Sequence, residues 1–333
     1  MNMLRVSASP HIKDTETTSS LMKDVLLSLL PAFVWSIYVF GFRALSVYAV
    51  SIGSAVLFEY LVRKLMNKNN TIGDCSAVVT GVLLAMSLPV SVPLWLPVIG
   101  SFFAIVIVKQ LFGGLGKNVV NPAIAARVFL FASFPAELTA YTAPHNYLSF
   151  FKIAFKADNS DIAVAGATPL AVLKNGTLPT NSIPDMFFGN IVGCLGEVSA
   201  FLLIVGGIYL IAKKVITWHI PVCYMATVAF LTFVFSRGGM FDLSFMLCQL
   251  FTGGLVLGAF FMATDYVTSP ATKLGRIIYA VGCGAITVFI RYFGGYPEGV
   301  SFAIMIMNLF VWYLDKATRP KVFGTKKGGK AHE

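Results

Sequence analysis

One hydroxyl stands out first. In VAGATPLAVLK (164–174), Thr168 follows Gly166 and Ala167 and precedes Pro169. Small neighbours leave room around the threonine and permit close backbone approach. A hydroxyl presented in this way is suited to carry an attached group. The plainer reading is an uncapped turn at Gly166, with Thr168 starting a short helix before Pro169.

Three other groupings carry chemistry. In GKNVVNPAIAAR (116–127), Asn118 and Asn121 are three apart, so on a helix they share a face. Each amide offers a donor and an acceptor. A helix cap ahead of Pro122 is an equally weighted alternative. In FMATDYVTSP (261–270), Thr264 and Asp265 are joined by the oxygens of Thr268 and Ser269. Asp265 could hold a ligand or a cation, pair with Lys273, or sit in a solvated loop. Arg127 and Arg291 lie in apolar runs, and a buried guanidinium needs acceptors. For Arg291, snorkelling to an interface is the preferred reading. Glu59 and Arg63, four apart, are expected to pair along one helix. Glu197 is isolated and is a weak ion-pathway candidate.

These residues need elements to position them, and composition says what those are. The 333 residues are 57% hydrophobic and only 12% charged, with a mean hydropathy of +0.78. A soluble chain would carry roughly a quarter charged residues. Runs of about 20 apolar residues match a hydrocarbon core of about 30 Å, and Gly and Pro inside them are tolerated in membrane helices. The expectation is an all-α integral membrane protein of about ten spans: 24–42, 44–62, 75–92, 94–112, 119–135, then 190–212, 217–236, 244–264, 275–291 and 298–315. This divides the chain into an N-terminal segment (1–23), a first five-span unit (24–135), a polar segment with Thr168 (136–189), a second five-span unit (190–315) and a basic tail (316–333). The first twenty residues are polar with both charge signs and do not read as a cleavable signal.

Charge orients the chain. The formal net charge is +10, and the tail KATRPKVFGTKKGGK is basic. Short connections carrying Arg63, Lys64, Lys68, Lys109, Lys117, Lys213, Lys214, Lys273 and Arg276 fall on the same side as the tail, and the alternate connections carry few charges. Lys and Arg mark the cytoplasmic side. Both termini are therefore expected in the cytoplasm and Thr168 on the outer face of a cell membrane. Nucleic-acid binding is disfavoured. Five cysteines form no CxxC pair, and four histidines are scattered, so neither a metal site nor a disulfide framework is indicated.

The two halves resemble each other. TGVLLAMSLP (80–89) matches TGGLVLGAFF (252–261), and FGGLGKNVVNPAIA (112–125) matches FGGYPEGVSFAIM (293–305). Five spans is an odd number, so the second copy enters inverted, an arrangement common among transport folds. Spans broken near Ser87–Pro93 and Gly253–Gly258 would expose backbone polar groups at depth and suggest a central polar pocket.

Several segments together resemble one family. SASPHIKDTETTSSLMKDVLLSLLPA (7–32), GGLGKNVVNPAIAARVF (113–129), GATPL (166–170), GAFFMATDYVTSPATKLG (258–275) and GGYPEGVSFAIMIMN (294–308) are similar to the NqrB/RnfD family, in order and over nearly the whole chain. The short N-terminal segment resembles the RnfD branch. That resemblance implies a membrane electron-transfer subunit of an ion-translocating ferredoxin:NAD⁺ oxidoreductase, moving Na⁺ or H⁺. It implies FMN joined through a phosphoester to Thr168, with Gly166 and Ala167 leaving room for the flavin transferase and Arg127 as a candidate partner for the phosphate. The motif usually opens with Ser or Asp, and Ala165 stands there instead. A second, non-covalent flavin, riboflavin, is implied near Asn118 and Asn121, whose amides match a ring edge, with Asp265 and Thr264 beside its ribityl chain. The implied partners are RnfA, RnfB, RnfC, RnfE and the FMN-bearing RnfG. The chain itself has no GxGxxG after a predicted strand and no ferredoxin-like cysteine set, so both substrates would be met by partners. A small-solute channel with the same inverted repeat is the rival reading, and a scaffold with a decayed flavin site is a third.

Overall fold

The computed structural model describes residues 16–144, 168–176, 178–179, 182–197, 199–236 and 241–320, and among them it is all-helical. The first half holds α1 (Thr18–Phe40), α2 (Phe42–Leu65), α3 (Ser76–Met86), α4 (Trp95–Phe102, running on as a π-helix over Phe103–Gln110) and α5 (Pro122–Ser133). Between the halves the polar segment contains short helices α6 (Pro135–Thr139), α7 (Pro169–Lys174) and α8 (Ile183–Phe188). The second half holds α9 (Ala200–Ala212), α10 (His219–Val234), α11 (Leu243–Phe251), α12 (Leu255–Leu257, running on as a π-helix over Gly258–Met262), α13 (Lys273–Phe293) and α14 (Val300–Thr318). Each of the ten apolar runs is thus largely helical, although 190–199, expected to open the sixth span, holds only a 3₁₀ turn at Leu195–Glu197.

Local sequence sets the helix starts. Thr17 caps α1 by accepting from the Ser20 N–H at 3.1 Å, and Thr272 caps α13 by accepting from the Gly275 N–H at 3.0 Å. Asn121 caps α5, with Pro122 in its first turn. Close helix packing relies on glycine. A Cβ on Gly206 of α9 would collide with the Ser28 carbonyl of α1, and one on Gly81 of α3 would stand 2.9 Å from Ile52 Cα of α2.

Four helices among the described residues (α1, α2, α13 and α14) are long and apolar enough to cross a membrane, and the bent pair α11/α12 makes a fifth. Large apolar side chains such as Leu27, Leu30, Val34 and Tyr38 on α1 and Leu309, Phe310 and Trp312 on α14 face outward, as a lipid-facing surface requires. This is a multi-pass membrane protein. The other expected spans are shorter helices, so ten full crossings are not what helix length shows.

Of the two expected breaks, the second is a bent span, whereas the first is the connection between two separate short helices. α3 stops at Met86 and α4 starts at Trp95. The second break lies at Thr252–Gly254, where α11 and α12 meet at 63°. Each is served by a buried arginine. Arg43 donates to the carbonyls of Val90 (3.4 Å) and Val92 (2.6 Å). Arg291 donates to Gln249 O (2.6 Å), Gln249 Oε1 (2.9 Å) and Thr252 O (3.3 Å). Arg291 is only 2% exposed, so it does not snorkel. It satisfies carbonyls that a broken helix leaves without partners.

The contacts define two ends of the molecule. At one end Ser19 reaches Gly73, Tyr209 reaches Asp24, and Thr272 meets Thr318. At the other, Lys174 reaches the carbonyls of Gly294 and Gly295, and Phe131 packs edge-on to Tyr296. The 21 residues of α13 separate Thr272 from Gly294, about 31 Å at 1.5 Å per residue.

Candidate functional site

A pocket opens at the end that carries Ser19 and Thr318. Its enclosed volume is about 80 Å³, and it is lined by Asn118, Asn121, Thr264 and Asp265 together with Ser76, Thr80 and Lys109. Met22, Val79, Leu83, Leu210, Phe260 and Phe261 supply apolar walls. Apolar walls with a few convergent polar groups are the usual make-up of a small-molecule site. Both π-helical segments abut it: one delivers Lys109, the other Phe260 and Phe261. Such bulges are frequent at functional sites.

The two asparagines differ. Asn121 is largely engaged: Oδ1 accepts from the N–H groups of Ala123 (3.0 Å) and Ile124 (3.4 Å), and one Nδ2 hydrogen goes to Met262 O at 3.2 Å. It is a cap that also clamps the end of the second π segment. Asn118 is 8% exposed, and its Oδ1 has no hydrogen-bond partner. A buried acceptor without a donor is costly, so Asn118 is the member of the pair with capacity for a ligand. Thr264 Oγ1 donates to Phe260 O at 2.6 Å. Asp265 accepts from Thr268 Oγ1 at 3.1 Å, and among the described residues no ion pair joins it to Lys273. Burial pushes its carboxyl above the usual carboxylate range, against the opposing hydrogen bond from Thr268.

Lys109 reads in the sequence as a loop charge. In the fold it is 1% exposed and donates to Glu59 Oε2 at 2.7 Å and to Ser76 Oγ at 2.6 Å. Glu59 therefore pairs with Lys109 rather than with Arg63. The sequence does carry a signal for this: a carboxylate in the middle of an apolar run must find a cation.

At the opposite end Thr168 lines a narrow crevice with Tyr141, Glu197, Thr252, Gly253 and Glu298. Thr168 is 8% exposed and caps α7, its Oγ1 accepting from the Ala171 N–H at 3.3 Å. The short helix expected after it is present. Gly166, Ala167 and the atypical Ala165 lie outside the described residues. Arg127 borders this crevice but has acceptors of its own. It pairs with Glu298 and lies 3.9 Å from Glu197. Its charge is thus already matched, and a phosphate there would have to displace a carboxylate. Glu298, which also accepts from the Gly254 N–H at 3.0 Å, escapes a sequence reading because Gly and Pro in FGGYPEG point to a turn. Glu197, which reads as isolated, belongs to this cluster.

The family model described as NQR2, RnfD, RnfE matches residues 5–324. Over 329 residues the chain is 46% identical to the D component of the Na(+)-translocating ferredoxin:NAD(+) oxidoreductase complex of Acetobacterium woodii, covering 97% of this chain and 96% of that one. It is 43% identical to the D component of the proton-translocating ferredoxin:NAD(+) oxidoreductase complex of Clostridium ljungdahlii, covering 98% of each. It is also 38% identical to the D component of the ion-translocating oxidoreductase complex of Shewanella frigidimarina, covering 97% and 99%.

Proposed function

The chain belongs to the NQR2, RnfD, RnfE family, and from that premise we propose that it carries electrons through the membrane part of an ion-translocating ferredoxin:NAD⁺ oxidoreductase. Its end with both described termini faces the cytoplasm, and Thr168 faces outward. The observation that carries this reading is the pair of polar pockets at opposite ends of α13, one bordered by the Thr168 hydroxyl and the other by the unpartnered Asn118 amide. The covalent FMN sits on Thr168. The riboflavin takes the Asn118 pocket, whose apolar walls and polar rim suit a flat heteroaromatic ring with a hydrogen-bonding edge. Asn118 would pair with that edge, Asp265 and Thr264 would meet the polyol chain, and Phe260 and Phe261 would exclude water. When bound, the flavins supply one-electron chemistry; the protein positions them and tunes their potentials.

The relatives' names, one sodium and one proton at 46% and 43% identity, leave the coupling ion to experiment. NAD⁺ and ferredoxin are handled by partners, among them RnfB and RnfC, the membrane components RnfA and RnfE, and the FMN-bearing RnfG.

Helix spacing supports two units of five matched helices, with α11 left without a mate. Phe112 and Phe293 open the FGG motifs 181 residues apart. The starts of α1/α9, α2/α10, α3/α12, α4/α13 and α5/α14 recur at 182, 177, 179, 178 and 178 residues. Thr80 and Thr252, heads of the other sequence match, are 172 apart; the first lies inside α3 and the second at the break, so that match is out of register with the helices.

The test is a denaturing gel under ultraviolet light, run on chain from cells with an active flavin transferase. A fluorescent band that disappears in Thr168→Ala establishes the covalent site. A dark wild-type band refutes it and favours the channel or scaffold reading.

A further inference from the structure

The Asn118 pocket is wired to the membrane face beside it. Lys109 Nζ, on the pocket wall, donates to Ser76 Oγ at 2.6 Å, and Ser76 Oγ donates to Asp74 Oδ1 at 2.5 Å. Asp74 lies in the 3₁₀ turn Ile72–Asp74 ahead of α3, next to exposed Gly73, and is itself part-exposed. On its other side Lys109 is held by Glu59, which accepts from Thr71 Oγ1 at 2.7 Å. An unbroken hydrogen-bonded chain therefore links a part-exposed carboxylate to a buried ammonium that touches the pocket.

We propose that Lys109 is the proton donor of this pocket, resupplied from the membrane face through Ser76 and Asp74. This rests on the reading of the pocket as a flavin site, and it adds what that reading lacks, a source of protons. A flavin held here would gain negative charge on reduction, and an apolar cavity would require that charge to be neutralised locally. The electrons arrive through the complex's own redox groups, from reduced ferredoxin or from NADH, so no further reductant is needed. An Nζ–H bond of Lys109 breaks as an N–H bond forms on the acceptor. The resulting amine takes the Ser76 hydroxyl proton as that hydroxyl reverses direction. The Asp74 carboxylate, first protonated by hydronium at the membrane face, passes that proton to Ser76 Oγ. Glu59 positions Lys109 and holds its charge. The charged side chains lining this space are Lys109 and Asp265; Glu59 from α2 and Asp74 from the turn before α3 stand behind it, bonded to Lys109 and Ser76. α1 and α9 contribute only apolar Met22, Val25 and Leu210.

The experiment uses the assembled complex purified from membranes. Flavin released on denaturation is counted first. Reduction of the non-covalent flavin by chemically reduced ferredoxin is then followed by stopped flow in H₂O and D₂O across pH. Lys109→Arg keeps the charge and the pairing with Glu59 but does not release a proton. It retains flavin, and its reduction phase slows at least tenfold. Asp74→Asn keeps the acceptor for the Ser76 N–H (2.8 Å). It slows the same phase, and added formic acid or imidazolium restores the rate. A purely structural role predicts no such rescue. Flavin content, rates and solvent isotope effects all at wild-type values in both variants overturn the relay alone. A wild-type complex that releases no non-covalent flavin overturns the flavin reading along with it. Where Lys109→Arg fails to assemble, the part-exposed Asp74 variant decides.

Discussion

Replacing Arg291 by methionine should loosen the second helix break. The guanidinium makes three hydrogen bonds there, two to the backbone carbonyls of Gln249 and Thr252 and one to the Gln249 side chain. No carboxylate lies within 4.0 Å of it among the described residues. Two effects compete. Methionine relieves the cost of burying an unpaired charge, but it leaves the carbonyls behind. Removing both partners of a buried pair can be neutral, whereas removing one is not. Each orphaned acceptor costs about 1–3 kcal/mol, so two carbonyls and an amide oxygen lose roughly 3–9 kcal/mol. The relieved desolvation returns part of that, for a net loss of about 3 kcal/mol. Arg291→Lys, which can reach one or two acceptors, should lose about half as much. Unfolding followed by circular dichroism in mixed micelles measures the difference. A second readout is local. A Cβ on Gly253 would stand 3.1 Å from the Arg291 guanidinium and 3.2 Å from Leu170, two residues beyond Thr168. Loosening the break should therefore lower the fluorescent labelling of Thr168. An Arg291→Met chain with wild-type stability and full labelling refutes the claim that this arginine holds the break.

Other perturbations are specific as well. Glu59→Gln strands the buried Lys109 ammonium and should cost about 3–5 kcal/mol, while the double replacement Glu59→Leu with Lys109→Met costs less than the single one. A double-mutant cycle showing simple additivity would deny the pair. Asp265 has a folded-state pKa raised by burial. The folded chain then binds its proton more tightly than the unfolded chain, so stability falls as pH rises from the ordinary carboxylate range through the raised value. Asp265→Asn should flatten that part of the profile and be the more stable chain at neutral pH. Equal slopes would show that Asp265 is not responsible. Gly206→Ala places a methyl against Ser28 O and should cost about 1–3 kcal/mol by parting α1 from α9. Unchanged unfolding would rule out that contact.

Much of the architecture is legible in the sequence because bilayer physics writes it plainly. Apolar runs mark the helices, and Pro and Gly clusters near Ser87–Pro93 and Gly253–Gly258 mark the α3–α4 connection and the α11/α12 break. What escapes is the use of charge. The rule that cations sit in loops or reach for interfaces misplaces Lys109 and Arg291, and it would misplace Arg43 as well. All three are buried, and each serves a polar need created elsewhere in the fold: two sets of break carbonyls and the Glu59 carboxylate. A charge inside an apolar run is better taken as a question about its partner than as a boundary mark. Asn118 and Asn121 show the opposite limit. Their spacing suggests one shared helix face, yet α5 begins after Asn121, so one residue is its cap and the other is left free in the loop.

The spacing between the halves joins the two pockets into one design. Asn118 and Glu298 are 180 residues apart and lead into α5 and α14 respectively. Ser76 and Leu255, 179 apart, begin the short helices α3 and α12 beside the two pockets. On the inverted-repeat reading these are the same site built twice and then differentiated. Where one copy has an amide with an open acceptor, the other has a carboxylate locked to Arg127. The 181-residue step from Lys109 reaches Ile290, and from Gln110 it reaches Arg291. The first pocket thus has a cation beside a hydrogen-bonded route to the membrane face. Its mate has an apolar residue at that position and uses the neighbouring cation to hold a helix break. On the proposed reading, reduction at the Asn118 pocket would be coupled to protons from the face beside it, while the Thr168 crevice has no matching relay among the described residues. That difference gives direction to a pair of sites that symmetry alone would leave equivalent.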